Sequence, residues 1–386
     1  MTKYMVAAVV VLAVVSISCA ASPDVLPDAL VSSWGKLSDA LTGVLRLEEK
    51  RETLPDSAWI GADKSSNAKK INALLDQALS LLLQGPANEL RKQALVLRGR
   101  IPVLRLEMDE LRNKRISAPD ASERSWIDKM PWIMTRQDLD KRMAELRWEI
   151  ETQEKTLQDM NARIAGELRA LGLNLDDAQV DILLTSVTGD DLFRNAVIFA
   201  NVKYVVEKLA ELAREDRDNL EINRRYTGMY LVLNDLLIYS QEGLIEKIDQ
   251  DFKPRLAAIR TEAENLRDDA LSRAKQPAYT PAQKRSFEAN AESNALTVRV
   301  AALYGELLES QRRSVDASLT DLRRNRDVAE STWRTVRSSG DLRSLIRSGL
   351  DLFDSIQTLS MPEIQPFRND AIRKEFEEIN RRLTRP

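Results

Sequence analysis

Histidine is absent from the 386 residues, and cysteine occurs once, at Cys19. These two facts remove Ser-His-Asp and Cys-His catalysis and every His-ligated zinc or iron site, because each needs an imidazole as base or ligand. What remains is carboxylate and amide chemistry, and two adjacent pairs stand out. Asp190 and Asp191 follow Thr188-Gly189, and Asn234 and Asp235 interrupt the apolar run from Met229 to Tyr239. Paired acids can hydrolyse glycosides, but acids at a helix start are stabilised by its dipole, so Asp190 and Asp191 read as caps. Asn234 and Asp235 are the candidate buried polar site. In an enclosed helix they need a hydrogen-bond partner or a charged mate; otherwise they lie on the least buried stripe and fix helix register. The chain has no Gly-rich phosphate loop, no EF-hand loop, no GxSxG elbow and no Cys or His cluster. No catalytic residue, cofactor or metal site is expected, and the chain is read as a non-enzyme.

A different chemistry, that of contact, belongs to Trp126, Met130, Trp132 and Ile133. They crowd a segment between two long helical patterns. Trp and Met are favoured where one surface docks on another, so these four are the candidate partner-binding residues. The alternative is that they fold back on their own arms.

The elements that must carry these residues are helical. Charged residues make up 30% of the chain and aromatics 5%, with only 13 Gly and 13 Pro, a profile short of what β sandwiches and barrels require. The expected fold class is all-α, an elongated helical bundle with an antiparallel coiled-coil hairpin. Leu90, Ala94, Leu97, Ile101, Leu104, Met108 and Leu111 alternate four- and three-residue steps, as a heptad seam does. Leu139, Met143, Leu146, Ile150, Gln153, Leu157, Met160 and Ile164 repeat the pattern. The hairpin therefore spans 87–173 with its tip near 117–134, and Thr135 with Asp138 forms a capping box opening the second arm. Pro102 should kink the first arm or leave carbonyls in need of other partners.

Around the hairpin, 21–86 reads as N-terminal helices and a loop, and 174–386 as a helical body. Phe252 and Pro254 mark a break in that body. Thr280-Pro281-Ala282-Gln283 is a helix-start signature for a long helix near 281–337.

The first residues carry an address. Lys3, the apolar stretch from Met5 to Ile17 and the small residues Ser18 to Ala21 form a signal-peptide pattern over 1–20, too short for a membrane span. Cleavage after Ala20 would leave a thiol-free chain. A lipoprotein signal would instead make Cys19 the acylated first residue, although Ser16 stands where that motif has an aliphatic residue. No Asn-x-Ser/Thr acceptor occurs, and a periplasmic location, free or lipid-attached, is expected. The first arm, Arg91 to Ser117, holds eight basic and three acidic residues, but export and a net charge of −3 argue against nucleic acid.

Three stretches, 54–75, 174–191 (NLDDAQVDILLTSVTGDD) and 225–236 (RYTGMYLVLNDL), resemble exported, coiled-coil-rich helical proteins of Gram-negative bacteria, a set without an assigned activity. The resemblance implies export and helical architecture only. The functional expectation is a scaffold, adaptor or spacer of the cell envelope acting through protein partners or self-association, with membrane contact through the tip or a Cys19 lipid. Two alternatives are a holdase-type chaperone and a regulatory or sensor subunit of an envelope transport or channel system.

Overall fold

A computed structural model of the chain describes residues 28–57, 62–120, 134–173, 175, 177–215, 219–338, 373–384 and, between these, 353, 355, 356, 359, 361, 362 and 364. The protein is all-α, with no strand among the described residues. Helix α1, Asp28–Arg51, buries Leu30, Leu37, Leu41 and Val44, spaced so that one face meets the neighbouring helix α2, Lys64–Leu82. That second helix starts inside 54–67, a stretch that Pro55, Gly61, Asp63 and several serines mark as loop in the sequence. Asp63 and Ser66 close a reciprocal capping box, which satisfies backbone donors that the loop reading left open. Gly85, at φ +147°, a backbone that L side chains avoid, turns the chain from α2 into the next helix.

Helices α3, Pro86–Ser117, and α4, Arg136–Ala170, pack against each other, with Leu90, Ala94, Ile101, Leu104 and Leu111 of one and Leu139, Leu146, Ile150 and Ile164 of the other buried. Arg115 meets Asp140 near the far end and Arg100 meets Glu149 further down, so the two run antiparallel. Pro102 lies inside α3, which continues as one helix on either side of it. Thr135 caps α4, its side chain accepting from the Asp138 amide while the Asp138 carboxylate accepts from the Thr135 amide.

The body follows. Helices α5, Asp177–Thr185, and α6, Gly189–Glu215, lead into α7, Leu220–Lys247. Met229 to Asn234, Leu236 and Leu237 are all buried in α7, because α1, α2, α6 and the long helix α9, Pro281–Ser338, surround it. Gly228 is where that crowding is tightest. A Cβ there would collide with the Leu45 side chain and sit 3.0 Å from the Trp333 indole nitrogen, so the glycine lets α1 and α9 close on α7 together.

The break expected at Phe252 and Pro254 does not occur. A π turn, Ile248–Phe252, joins α7 directly to α8, Lys253–Ala274, with the Lys253 amide reaching back five residues to the Ile248 carbonyl. The wider turn absorbs a proline that an unbroken α ladder could not pair. Helix α8 packs along α9, and the final helix α10, Arg373–Thr384, closes over both. At about 1.5 Å per residue, the 58 residues of α9 extend about 87 Å.

Among the described residues, two apolar cores result. The larger joins α1, α2, the hairpin base through Leu90, Ala94, Ile164 and Leu168, and every body helix. The smaller holds Ile101, Leu104, Leu111, Ala118, Leu139, Leu146 and Ile150 in the outer hairpin. Helices α1 and α2 thus share their core with the body, and the outer hairpin has its own.

Candidate functional site

Asn234 and Asp235 sit one residue apart on α7 and face different surroundings. Asn234 is fully buried; its amide nitrogen donates to the Tyr230 carbonyl at 2.9 Å, and its Oδ1 is buried without a hydrogen-bond partner. That geometry ties the amide to its own helix. Asp235 is half-buried at the edge where α1 and α9 meet α7, and its carboxylate accepts from Arg326 Nε at 2.8 Å. Arg326 also holds Glu330, which in turn pairs with Arg334 at 2.6 Å, and Arg334 reaches Glu52, the residue that follows α1, at 3.5 Å. Asp235 therefore heads a ladder of alternating charge that ties α7, α9 and α1.

Burial pushes the Asp235 carboxyl up to about 6, against the Arg326 guanidinium that lowers it, while Glu48 and Glu330 add to the rise. The folded protein thus keeps this proton at pH values where the unfolded chain, with an ordinary value of 3.8, has released it. Between those two values the native state binds more protons, so the stability from this group is full below about pH 4, falls as pH rises to about 6 and then levels. The difference of about two pK units corresponds to about 3 kcal/mol. Asp235→Asn, which keeps the shape and removes the titration, should gain on the wild type as pH rises from 4 to 7. The gap in melting temperature should widen by several degrees. Parallel curves of melting temperature against pH would remove Asp235 as the source.

A second polar set lies where α5 turns into α6. The buried Tyr304 hydroxyl of α9 accepts from the Val187 amide at 2.8 Å and donates to Asn380 Oδ1 of α10 at 2.5 Å. Thr188, fully buried, donates to Gln311 Oε1 at 2.8 Å. The Tyr304 ring stacks on Phe376, with centroids 4.5 Å apart. Burial holds the Tyr304 hydroxyl above the usual phenol range, so it works as a neutral clamp and not as an acid or base. Beside this set, Gln241 donates to Ser318 at 3.1 Å, and a cavity of about 10 Å³ bounded by Asn195, Gln241 and Val315 has room for one water.

The aspartates of the same turn lie in the first turn of α6, and both are paired. Asp190 binds Arg91, a buried residue of α3 whose guanidinium lies 4.9 Å from the centre of the Phe193 ring. Asp191 binds Lys247 of α7 at 2.8 Å. Desolvation pulls the Arg91 guanidinium below its ordinary range, with Asp190 opposing. These contacts fasten the hairpin base to the body. None of the residues in these sets forms a nucleophile with a base in reach.

Trp126, Met130, Trp132, Ile133 and Cys19 lie outside the described residues. Among the described residues, no group of three or more acids or cysteines could hold a metal ion, and no helix is long and apolar enough to cross a membrane. Sequence reasoning missed Arg326 as the mate of Asp235 and Arg91 as the mate of Asp190. Only the placement of an arginine on an apolar face, Arg91 four residues after Ala87 and three before Ala94, signalled either. Compared with protein-family models, curated proteins and solved structures, the chain finds no match.

Proposed function

We propose that this protein is an exported scaffold, adaptor or spacer of the cell envelope, in which a coiled-coil hairpin held on a helical body presents its tip to a protein partner. The observation that carries the reading is the separate core of the outer hairpin, Ile101 to Ile150, beyond a base fastened by Arg91 to Asp190 and Phe193. A projecting arm with its own packing adds nothing to the stability of the body, and its natural use is reach. The polar contacts of Tyr304, Gln311, Gln241 and Asp235 support the same reading, since each joins one element of the body to another. Export rests on Lys3, the apolar stretch from Met5 to Ile17 and the small residues after it. Cys19 is then either removed with the signal or acylated as an anchor.

A photo-crosslinking side chain placed in turn at Trp126, Trp132 and the exposed body position Val328 tests this in cells. The expected result is one discrete adduct from the tip positions, recovered in the periplasmic or membrane fraction, and none from Val328. A smear of many adducts would favour a holdase, and adducts confined to the cytosol would overturn export. The absence of any tip adduct would overturn the scaffold reading.

A further inference from the structure

The outer face of α3 carries a second heptad stripe that its own hairpin leaves unpaired. The seam against α4 uses Leu90, Ala94, Leu97, Ile101, Leu104, Met108 and Leu111. Two residues on from the seam position Ala94, about 200° around the helix, Val96, Gly99, Val103 and Leu106 repeat the same three- and four-residue steps. Val96 is 70% exposed, Val103 60% and Leu106 56%, with Leu95 beside them at 44%. Exposed apolar residues scattered singly are ordinary, but three in register on one helix face, with a glycine at the fourth position, are not. Gly99 falls in the middle of this stripe, and a side chain there would meet open space. Other helical glycines of the chain are equally open, so the register around Gly99 is what distinguishes it.

The stripe continues in both directions with polar residues: Glu89 and Lys92 before Val96, Glu110 and Asn113 after Leu106. Read against a reversed copy of itself about Ile101, Val96 faces Leu106, Gly99 faces Val103 and Lys92 faces Glu110. Read in parallel, Lys92 faces Lys92 and Glu110 faces Glu110. Opposite charge thus closes both ends of the apolar run in the antiparallel register alone. Lys92 is exposed and paired at 2.7 Å with Glu89 of its own helix, from which it can turn to a facing carboxylate, and Glu110 is exposed.

We infer that two copies of this protein associate through α3, antiparallel about a twofold axis beside Ile101, with Val96, Gly99, Val103 and Leu106 forming the seam and Lys92 to Glu110 pairs at its ends. A second copy is the occupant because the stripe is complementary to itself end for end, the property an isologous contact requires. The inference rests on the scaffold reading for its use, since a dimer of this kind points two hairpins in opposite directions.

Sedimentation equilibrium of the full mature protein at concentrations up to about 100 μM tests it, because a seam this short implies dissociation on the order of micromolar. The wild type should show a monomer–dimer equilibrium, and Val103→Glu should be monomeric with an unchanged thermal melt, as Val103 is exposed. Lys92→Glu and Glu110→Lys should each weaken the dimer about tenfold by setting like charges opposite one another at both ends. Mixing these two variants, or combining both changes in one chain, should restore it. A wild type that stays monomeric, or a dimer that survives Val103→Glu, overturns the interface; failure of the combined variant to recover overturns the antiparallel register. A Val103→Glu monomer that still gives the tip adduct separates this interface from the scaffold reading, and a normal dimer without tip adducts fails only the latter.

Discussion

Tyr304→Phe should destabilise the protein by about 2 to 4 kcal/mol, an unusually large cost for the loss of one oxygen. The hydroxyl is buried and serves two elements at once. It accepts from the Val187 amide, where α5 turns into α6, and donates to Asn380 of α10. Phenylalanine keeps the stack on Phe376 and introduces no clash, so the loss isolates the two hydrogen bonds. The Val187 amide would then stay buried without its acceptor, the expensive half of a broken hydrogen bond. The denaturant midpoint should fall while the slope stays constant, since the surface exposed on unfolding is unchanged. Amide exchange at Val187 should accelerate beyond the global change. A midpoint within about 0.5 kcal/mol of wild type, in the range of ordinary surface substitutions, would mean that the bridge across α6, α9 and α10 is not what holds the turn.

The parts of this fold that the sequence made legible are those whose cause is local. Heptad spacing from Leu90 to Leu111 and from Leu139 to Ile164 needs only its own periodicity to be seen, and the Thr135 and Thr280 caps need only three residues. The enclosed character of α7 follows from an apolar run with no polar face. The parts that stayed hidden have distant causes. Asp235 looks like any acid in a helix until Arg326, 91 positions later, comes to lie 2.8 Å away. Asp190 and Asp191 satisfy the rule for a helix start, and nothing local says that one of them also anchors a buried arginine of the hairpin. Pro254 reads as a break because the π turn before it depends on i to i+5 pairing, which no residue type announces. The second stripe on α3 was local too, yet it interleaves with the stronger seam two residues away and is seen only once that seam is occupied.

The charges on the hairpin explain why its seam, and not its ion pairs, must hold it closed. Arg100 to Glu149, Arg105 to Glu154, Arg115 to Asp140 and Arg142 to Glu107 cross between the arms, and all are exposed or half-exposed. Such pairs contribute between zero and about 1 kcal/mol each and weaken with salt. They fix which residues face each other. The buried leucines and isoleucines supply the stabilisation, at roughly 1.5 to 3 kcal/mol for each side chain removed from water.

Leu146→Asp should therefore open the outer hairpin while leaving the body folded. Leu146 is fully buried in the smaller core, between the layers formed by Ile101, Leu104, Leu139 and Ile150. Truncation there to Ala would cost about 2 to 5 kcal/mol, and a carboxylate must in addition lose its water or take up a proton. The exposed ion pairs are too weak to compensate. Among the described residues the two cores meet at Leu157, which packs on both, so the damage should stop near that layer. Hydrogen exchange should show protection lost across 101–117 and 136–153 and retained across 192–210 and 229–237. The thermal transition of the body should keep its midpoint, with a drop in helical signal at low temperature where the arms have separated. Adducts formed through Trp126 and Trp132 should vanish in this variant, because a tip on two unpaired arms has no fixed position. A single transition in which hairpin and body melt together at a lowered midpoint would show that the arm and body form one cooperative unit, and the idea of an independent projecting arm would fail with it.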